Sequence, residues 1–174
     1  MRITCLVLPL LAAMFFFNKS SADPLGVGGA APVLTGITET GAKLNLGDVY
    51  KKGYTLVYFY PKADTPGCTK QGCSLRDSYE VLAQKGVTVI GVSHDAPAAQ
   101  KAFKEKYNFP FTLIADEDQA VSKAFGVDNI PATNFTTRQA YLIDKEGKIV
   151  WADHKAKTDK QAEDVLAELK KLGL

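Results

Sequence analysis

Residues 54–73 read YTLVYFYPKADTPGCTKQGC. The first seven are β-branched, aromatic or leucine, the mark of a strand buried on both faces. Pro61 ends the run, since it has no N–H to give to a ladder. After a short polar loop, Pro66 and Gly67 open a helix that the pattern carries to about Gln84, with Cys68 in its first turn. Strand, loop and helix form the unit of an α/β sheet, and ligand chemistry in such sheets sits beyond the carboxyl end of a strand. Cys68 falls there.

The alternation continues outward from this unit. Residues 87–92 (VTVIGV) predict a second buried strand. Asp95 is placed to cap a helix whose Ala99, Ala102, Phe103 and Tyr107 share one face. A third strand follows at 111–115, then a short helical piece at 119–125. Residues 140–144 and 148–152 flank Lys145-Glu146-Gly147, a hairpin signal. The last helix is predicted from Thr158, with Gln161 completing a capping box, an apolar face of Val165, Leu166, Leu169 and Leu172, and Gly173 as its stop. Upstream, residues 23–34 read as an irregular arm, and 36–46 as a hairpin turning at Thr38-Glu39-Thr40-Gly41. These elements predict an α/β fold with a mixed central sheet flanked by helices, plus an N-terminal hairpin.

The first 22 residues stand apart from this domain. Arg2 precedes an apolar run from 3 to 17, which is followed by Asn18 and Lys19 and closes on Ser20-Ser21-Ala22. The run is too short to span a bilayer comfortably, and the small-x-small ending suits cleavage. Residues 1–22 are therefore expected to be a cleaved secretory signal, ahead of an uncleaved anchor, with one domain at 23–174. The chain is 174 residues long, 46% hydrophobic and 23% charged, ample for one core. Its formal charge of +2 comes from the leader: without Arg2 and Lys19 there are 19 basic and 19 acidic residues. No basic stripe is present, which argues against nucleic acid and anionic membrane as partners of the mature form. Cys5 lies early in the apolar run and does not read as a lipid attachment site.

The mature chain keeps Cys68 and Cys73, and an even pair in an exported protein usually means a disulfide. A thiol at a helix N-terminus is favoured as thiolate by the free N–H groups and the dipole. The plainer alternative makes Thr65-Pro66-Gly67 a helix-entry turn and Cys68 a small buried residue. Cys73 weighs against it. On one regular helix, five residues separate the two Cα atoms by about 8.7 Å, whereas a disulfide needs less than about 7 Å. Either no regular helix spans the segment, or the pair closes only after local unwinding. A structural staple gains little from so short a loop, while a redox pair can use a labile bond. The spacing is not C-x-x-C, and no compact Cys/His group of the zinc type is present.

Pro61-x-x-x-Thr65-x-x-Cys68 resembles the active-site signature of the peroxiredoxins. TPGCTKQGCSLRD is similar to the bacterioferritin-comigratory protein, or peroxiredoxin Q, branch of that family. The likeness runs from about residue 31 to the C-terminus and includes RQAYLID at 138–144 and the Lys-Glu-Gly turn. It implies a thioredoxin-like fold and a thiol-dependent peroxidase acting on hydrogen peroxide and organic hydroperoxides. Carried onto these residues, it makes Cys68 the peroxidatic thiol and Cys73 the resolving thiol, joined in an intramolecular disulfide. Thr65 would orient the peroxide, Arg138 would support the thiolate and polarise the peroxide, and Pro61 would shield the sulfur. The resemblance implies no metal or organic cofactor, and a thioredoxin or thioredoxin-like protein as reductant. The opening PVLTGITETG departs from the usual Pro-Asp-Phe start. The signal peptide also departs from the many cytoplasmic relatives, and places the chain outside the cytoplasm, in a periplasm or an equivalent compartment. A monomer is expected rather than a dimer.

The competing function is an exported thiol–disulfide exchange protein without peroxidase activity, which would need neither Thr65 nor Arg138 as described. A binding module stapled by its cysteines and a copper chaperone rank below it, the latter because the cysteine spacing is wrong. His94 and His154 read as exposed or capping, Trp151 as a half-buried strand residue, and residues 153–164 as a solvated face. Asn134-Phe135-Thr136 is a glycosylation sequon, relevant only on a eukaryotic secretory route.

Overall fold

In the computed structural model, which describes residues 24–174, the apolar run becomes the middle strand of the sheet. It forms β3 (Tyr54–Phe59), and Leu56 through Phe59 are all buried. The expected leader lies outside the described residues. On one side of β3 run two parallel strands, β4 (Val87–Ser93) and then β5 (Thr112–Ala115). On the other side run two antiparallel strands, β6 (Gln139–Ile143) and then β7 (Ile149–Asp153). The sheet order is β5-β4-β3-β6-β7, mixed as the sequence predicts.

Alternation along the strands splits the apolar side chains between two faces. Leu56, Tyr58, Val89, Leu113 and Leu142 face one way. They pack against α2 (Pro66–Asp77), α3 (Tyr79–Gln84), α4 (Pro97–Tyr107) and α6 (Gln161–Lys171) through Leu75, Leu82, Phe103, Val165 and Leu169. Val57, Phe59, Ile90, Val92 and Tyr141 face the other way, onto α1 (Leu46–Tyr50) and α5 (Ala120–Ala124). The expected hairpin is β1 (Thr35–Ile37) paired antiparallel with β2 (Lys43–Asn45). Its turn is stitched to β5 by Glu39, which accepts from the Leu113 amide at 3.0 Å and from Lys104 Nζ at 2.6 Å.

Several local expectations are corrected. The helix predicted to reach Gln84 breaks at Ser78 (φ −104°, ψ 6°), a residue type that tolerates turns. Asp95 does not cap α4: Pro97 starts that helix, the cap position falls to Ala96, and the Asp95 carboxylate turns inward. It accepts from the Ala63 amide and the Ser93 hydroxyl, both at 2.7 Å. On α4, Ala99 and Ala102 are exposed, while Gln100 is buried. Gln100 donates to Ser93 Oγ and to the Ile114 carbonyl, and accepts from the Tyr60 hydroxyl. The last helix begins at Gln161 rather than Thr158, and Gln161 is buried instead of closing a capping box. Leu172 is exposed. His94 is not exposed: its ring is held between the Asn134 carbonyl and Ser122 Oγ, with the Asp116 carboxylate 3.9 Å away. His154 is exposed and Trp151 half-buried.

Candidate active site

β3 delivers the chain to the site. Tyr60 still bonds to β4 through the Val92 carbonyl, then Pro61 breaks the ladder and residues 61–65 loop over the end of the sheet. Contacts of three successive residues fix this loop. The Ala63 amide donates to the half-buried carboxylate of Asp95. Asp64, in the left-handed region at φ 60°, is held by Lys106 Nζ at 2.7 Å and by the Tyr107 hydroxyl at 2.7 Å. Those two partners hold the Asp64 carboxyl below the usual carboxylate range. The Thr65 hydroxyl donates to the Lys62 carbonyl at 2.9 Å.

Thr65 is the cap residue of α2, yet its hydroxyl does not cap the helix. Pro66 has no N–H, so the first turn presents the amides of Gly67 and Cys68 without intrahelical partners. Cys68 sits there, 2% exposed. Arg138 enters from the other side. It immediately precedes β6, whose Gln139 pairs antiparallel with Phe59, so the chain carrying Arg138 arrives where β3 departs. Thr136 anchors this arrival by donating to the Tyr60 carbonyl at 2.8 Å. Arg138 Nη2 then lies 3.4 Å from Cys68 Sγ. The buried thiol is thus flanked by the free amides of a helix start and by a guanidinium.

The sequence-predicted residues are thus brought together to different degrees. Cys68 and Arg138 touch, and Thr65 and half-buried Pro61 share the loop beside them. Cys73 does not touch Cys68. Both thiols are free, and both lie on the unbroken helix α2, where five residues hold their Cα atoms about 8.7 Å apart. Cys73 is half-buried against the core. One turn further on, Arg76 donates to the Tyr107 carbonyl at 2.9 Å; Asp77, and behind it Cys73, hold its guanidinium more firmly charged than usual.

Sequence reasoning missed Gln71. It is wholly buried on α2, three residues past Cys68, and its Oε1 accepts from Arg138 Nη1. Its Nε2 donates to Gln161 Oε1 on α6 at 2.7 Å. The signal was its i,i+3 spacing, which puts it on the face of the helix that carries the thiol. Beneath α2 lies an aromatic floor. Tyr58 is buried there, and desolvation first, with Tyr60 next, keeps its phenol protonated. Gly72 lets the Phe109 ring approach so closely that a Cβ would stand 2.5 Å from Cζ. Among the described residues no cluster of three or more His, Cys, Asp or Glu could hold a metal ion, and no helix is long and apolar enough to cross a membrane.

A thiol at the start of a helix, beyond the end of a central strand and under a guanidinium, defines a thiol-based oxidoreductase of thioredoxin-like fold. Residues 27–152 match the AhpC/TSA family, and the chain belongs to it. It is 41% identical over 149 residues to a Coxiella burnetii protein assigned as the peroxiredoxin bcp, covering 82% of this chain and 97% of that one. It is 44% identical over 135 residues to the chloroplastic peroxiredoxin Q of Oryza sativa subsp. japonica, covering 76% of this chain and 60% of that longer one. Among solved structures, the bacterioferritin comigratory protein of Xanthomonas campestris, studied for alkyl peroxide reduction, matches with a TM-score of 0.76 at 27% identity. That match covers 84% of this chain and 100% of the other. The protein is therefore a peroxiredoxin, a thiol peroxidase.

Proposed function

We propose that this chain reduces hydrogen peroxide and organic hydroperoxides by a two-cysteine cycle contained within one polypeptide. The Cys68 thiolate attacks the outer oxygen of the peroxide. The O–O bond breaks, the sulfur becomes a sulfenic acid, and the departing oxygen leaves with a proton as water or alcohol. Thr65 orients the substrate: its proton is committed to the Lys62 carbonyl, so its lone pairs accept the hydroperoxide O–H. Arg138 and the amides of the first α2 turn receive the negative charge that develops on the peroxide oxygens. Pro61 covers the sulfur from the loop side.

Cys73 then displaces the hydroxyl of the sulfenic acid, giving a Cys68–Cys73 disulfide and water. The unbroken helix between the two requires α2 to unwind locally before this step. A dithiol protein of the thioredoxin type supplies the two electrons that reopen the disulfide. The cycle operates in a monomer outside the cytoplasm, where the leader at residues 1–22 would direct the chain.

The observation that carries this reading is the 3.4 Å contact of Arg138 with the buried Cys68 sulfur. The test is a stopped-flow reaction of reduced residues 23–174 with one equivalent of hydrogen peroxide, followed by thiol counting. Both thiols should disappear rapidly, Cys68→Ser should be inert, and Cys73→Ser should consume one equivalent and then stop. Survival of both thiols through the pulse would sink the proposed cycle.

A further inference from the structure

We propose that Gln161, on α6, is a positioning residue for this reaction: through Gln71 it holds Arg138 on Cys68, and it latches α2 closed until resolution. The inference deepens the two-cysteine cycle and rests on Cys73 being the resolving thiol.

The chain of hydrogen bonds has a forced direction. A guanidinium has donors and no acceptor, so Gln71 must turn its oxygen toward Arg138. Its Nε2 is thereby aimed at α6, where Gln161 must answer with its own oxygen, at 2.7 Å. Gln161 Nε2 is left buried, without a hydrogen-bond partner among the described residues. Buried donors in this condition are rare, and each calls for a reason. An apolar side chain would fill the same wholly buried position without it. What glutamine adds is the acceptor that keeps the Gln71 amide from flipping. A flipped Gln71 would set its NH2 against the guanidinium and push Arg138 off the sulfur.

The same contact is a tether. α2 and α6 are joined at a second point, where the Ala162 amide donates to Ser74 Oγ at 3.2 Å. Gln71 lies between the two cysteines and Ser74 immediately follows the second, so both tethers hold the segment that must unwind. When it does, Gln71 withdraws from Arg138 and from Gln161 together. The guanidinium is released once the sulfur has been oxidised, and the orphaned Gln161 donor gains access to water. One relay thus favours attack while α2 is folded and delays resolution until it opens.

The test uses Gln161→Met and Ser74→Ala in the mature protein, with three readings: hydrogen exchange of the α2 amides in the reduced state, the rate of Cys68 oxidation by hydrogen peroxide, and the rate of sulfenic acid conversion to disulfide. Gln161→Met should raise α2 exchange and speed resolution about fivefold, the factor of one lost buried hydrogen bond, while slowing oxidation of Cys68. Ser74→Ala should also raise exchange and speed resolution, but leave Cys68 oxidation within about twofold of wild type, as no bond links Ser74 to Arg138. Opposite changes in the two rate constants are what general damage to the fold would not produce. Unchanged α2 exchange and resolution in Gln161→Met, or a slowing of both steps, would overturn the inference. If Gln161→Met does not fold, unchanged α2 exchange in Ser74→Ala overturns it. A wild-type protein whose Cys73 stays reduced after peroxide defeats the two-cysteine cycle instead, and the exchange reading still decides whether the latch exists.

Discussion

Arg138 Nη2 lies 3.4 Å from Cys68 Sγ across 70 residues of sequence. The contact follows from strand order: β6 lies antiparallel beside β3, so residue 138 enters the sheet where residues 60 and 61 leave it. Arg138→Met is expected to slow oxidation of Cys68 by about 10- to 100-fold, the loss of one charge-assisted hydrogen bond in a shielded site. Arg138→Lys keeps the charge but cannot serve Cys68 and Gln71 with one planar fork, so its rate should fall between the two. Stopped-flow kinetics with hydrogen peroxide measures both. Wild-type rates in Arg138→Met would remove the guanidinium from the mechanism.

Thr65 bonds to the Lys62 carbonyl through an exposed contact and does not cap its helix. Thr65→Val should therefore leave the melting temperature nearly unchanged while slowing peroxide oxidation by about tenfold or more. Thr65→Ser, which keeps the hydroxyl, should stay within a few-fold of wild type. A parallel loss of stability and rate in Thr65→Val would make the residue structural.

Gly72 offers a stability test next to Cys73. A methyl group there meets Phe109 Cζ at 2.5 Å, and that ring is already stacked on Phe111 at 5.2 Å and edge-on to Phe103 at 4.9 Å. The ring has little room to retreat. Gly72→Ala is expected to cost about 1–3 kcal/mol by overpacking, despite the better helix propensity of alanine. Urea denaturation reads this directly, and an unchanged midpoint would show that Phe109 can give way.

Much of this architecture is legible in the sequence. The strands announce themselves as apolar runs because they are buried on both faces, and Cys68 falls at the strand-to-helix junction that the pattern marks. Arg138 was reachable only through the family resemblance, since nothing local in a strand-leading arginine reveals a partner on a distant helix. The burial of Gln71, Gln100 and Gln161 escaped because a glutamine on a helix reads as surface, and whether it is buried depends on which neighbours pair with its amide. Asp95 and His94 misled for the same reason: side chains that usually cap or face water here turn inward, Asp95 onto the Ala63 amide and the Ser93 hydroxyl, His94 onto the Asn134 carbonyl and Ser122 Oγ. Patterns report burial of apolar groups, whereas polar burial is decided by tertiary pairing.

Asp64 ties the site loop to the end of α4, and Lys106 and Tyr107 hold its carboxyl below the ordinary range. A carboxylate depressed in the folded state stabilises the protein above its unfolded pKa, and that contribution disappears as pH falls through the folded value. Asp64→Asn should thus melt slightly lower than wild type at neutral pH. The two melting curves should converge only as pH falls through the depressed folded value, below the ordinary carboxylate range. Being exposed, the pair contributes modestly and should weaken in high salt. A gap that persists in strong acid would contradict the assignment.

The pairing of β6 with β3 also bears on biosynthesis. Cys68 leaves the ribosome 70 residues before Arg138, roughly 4–14 s at about 5–20 residues per second. Throughout that interval the nascent chain carries a thiol with no guanidinium beside it and no completed sheet beneath it. Such a chain should consume peroxide no faster than free cysteine, which a stalled translation product ending before residue 138 would reveal. On the proposed mechanism reactivity is conferred late, by the arrival of a strand, so an unfinished polypeptide would be spared the oxidation that the finished one is built to undergo.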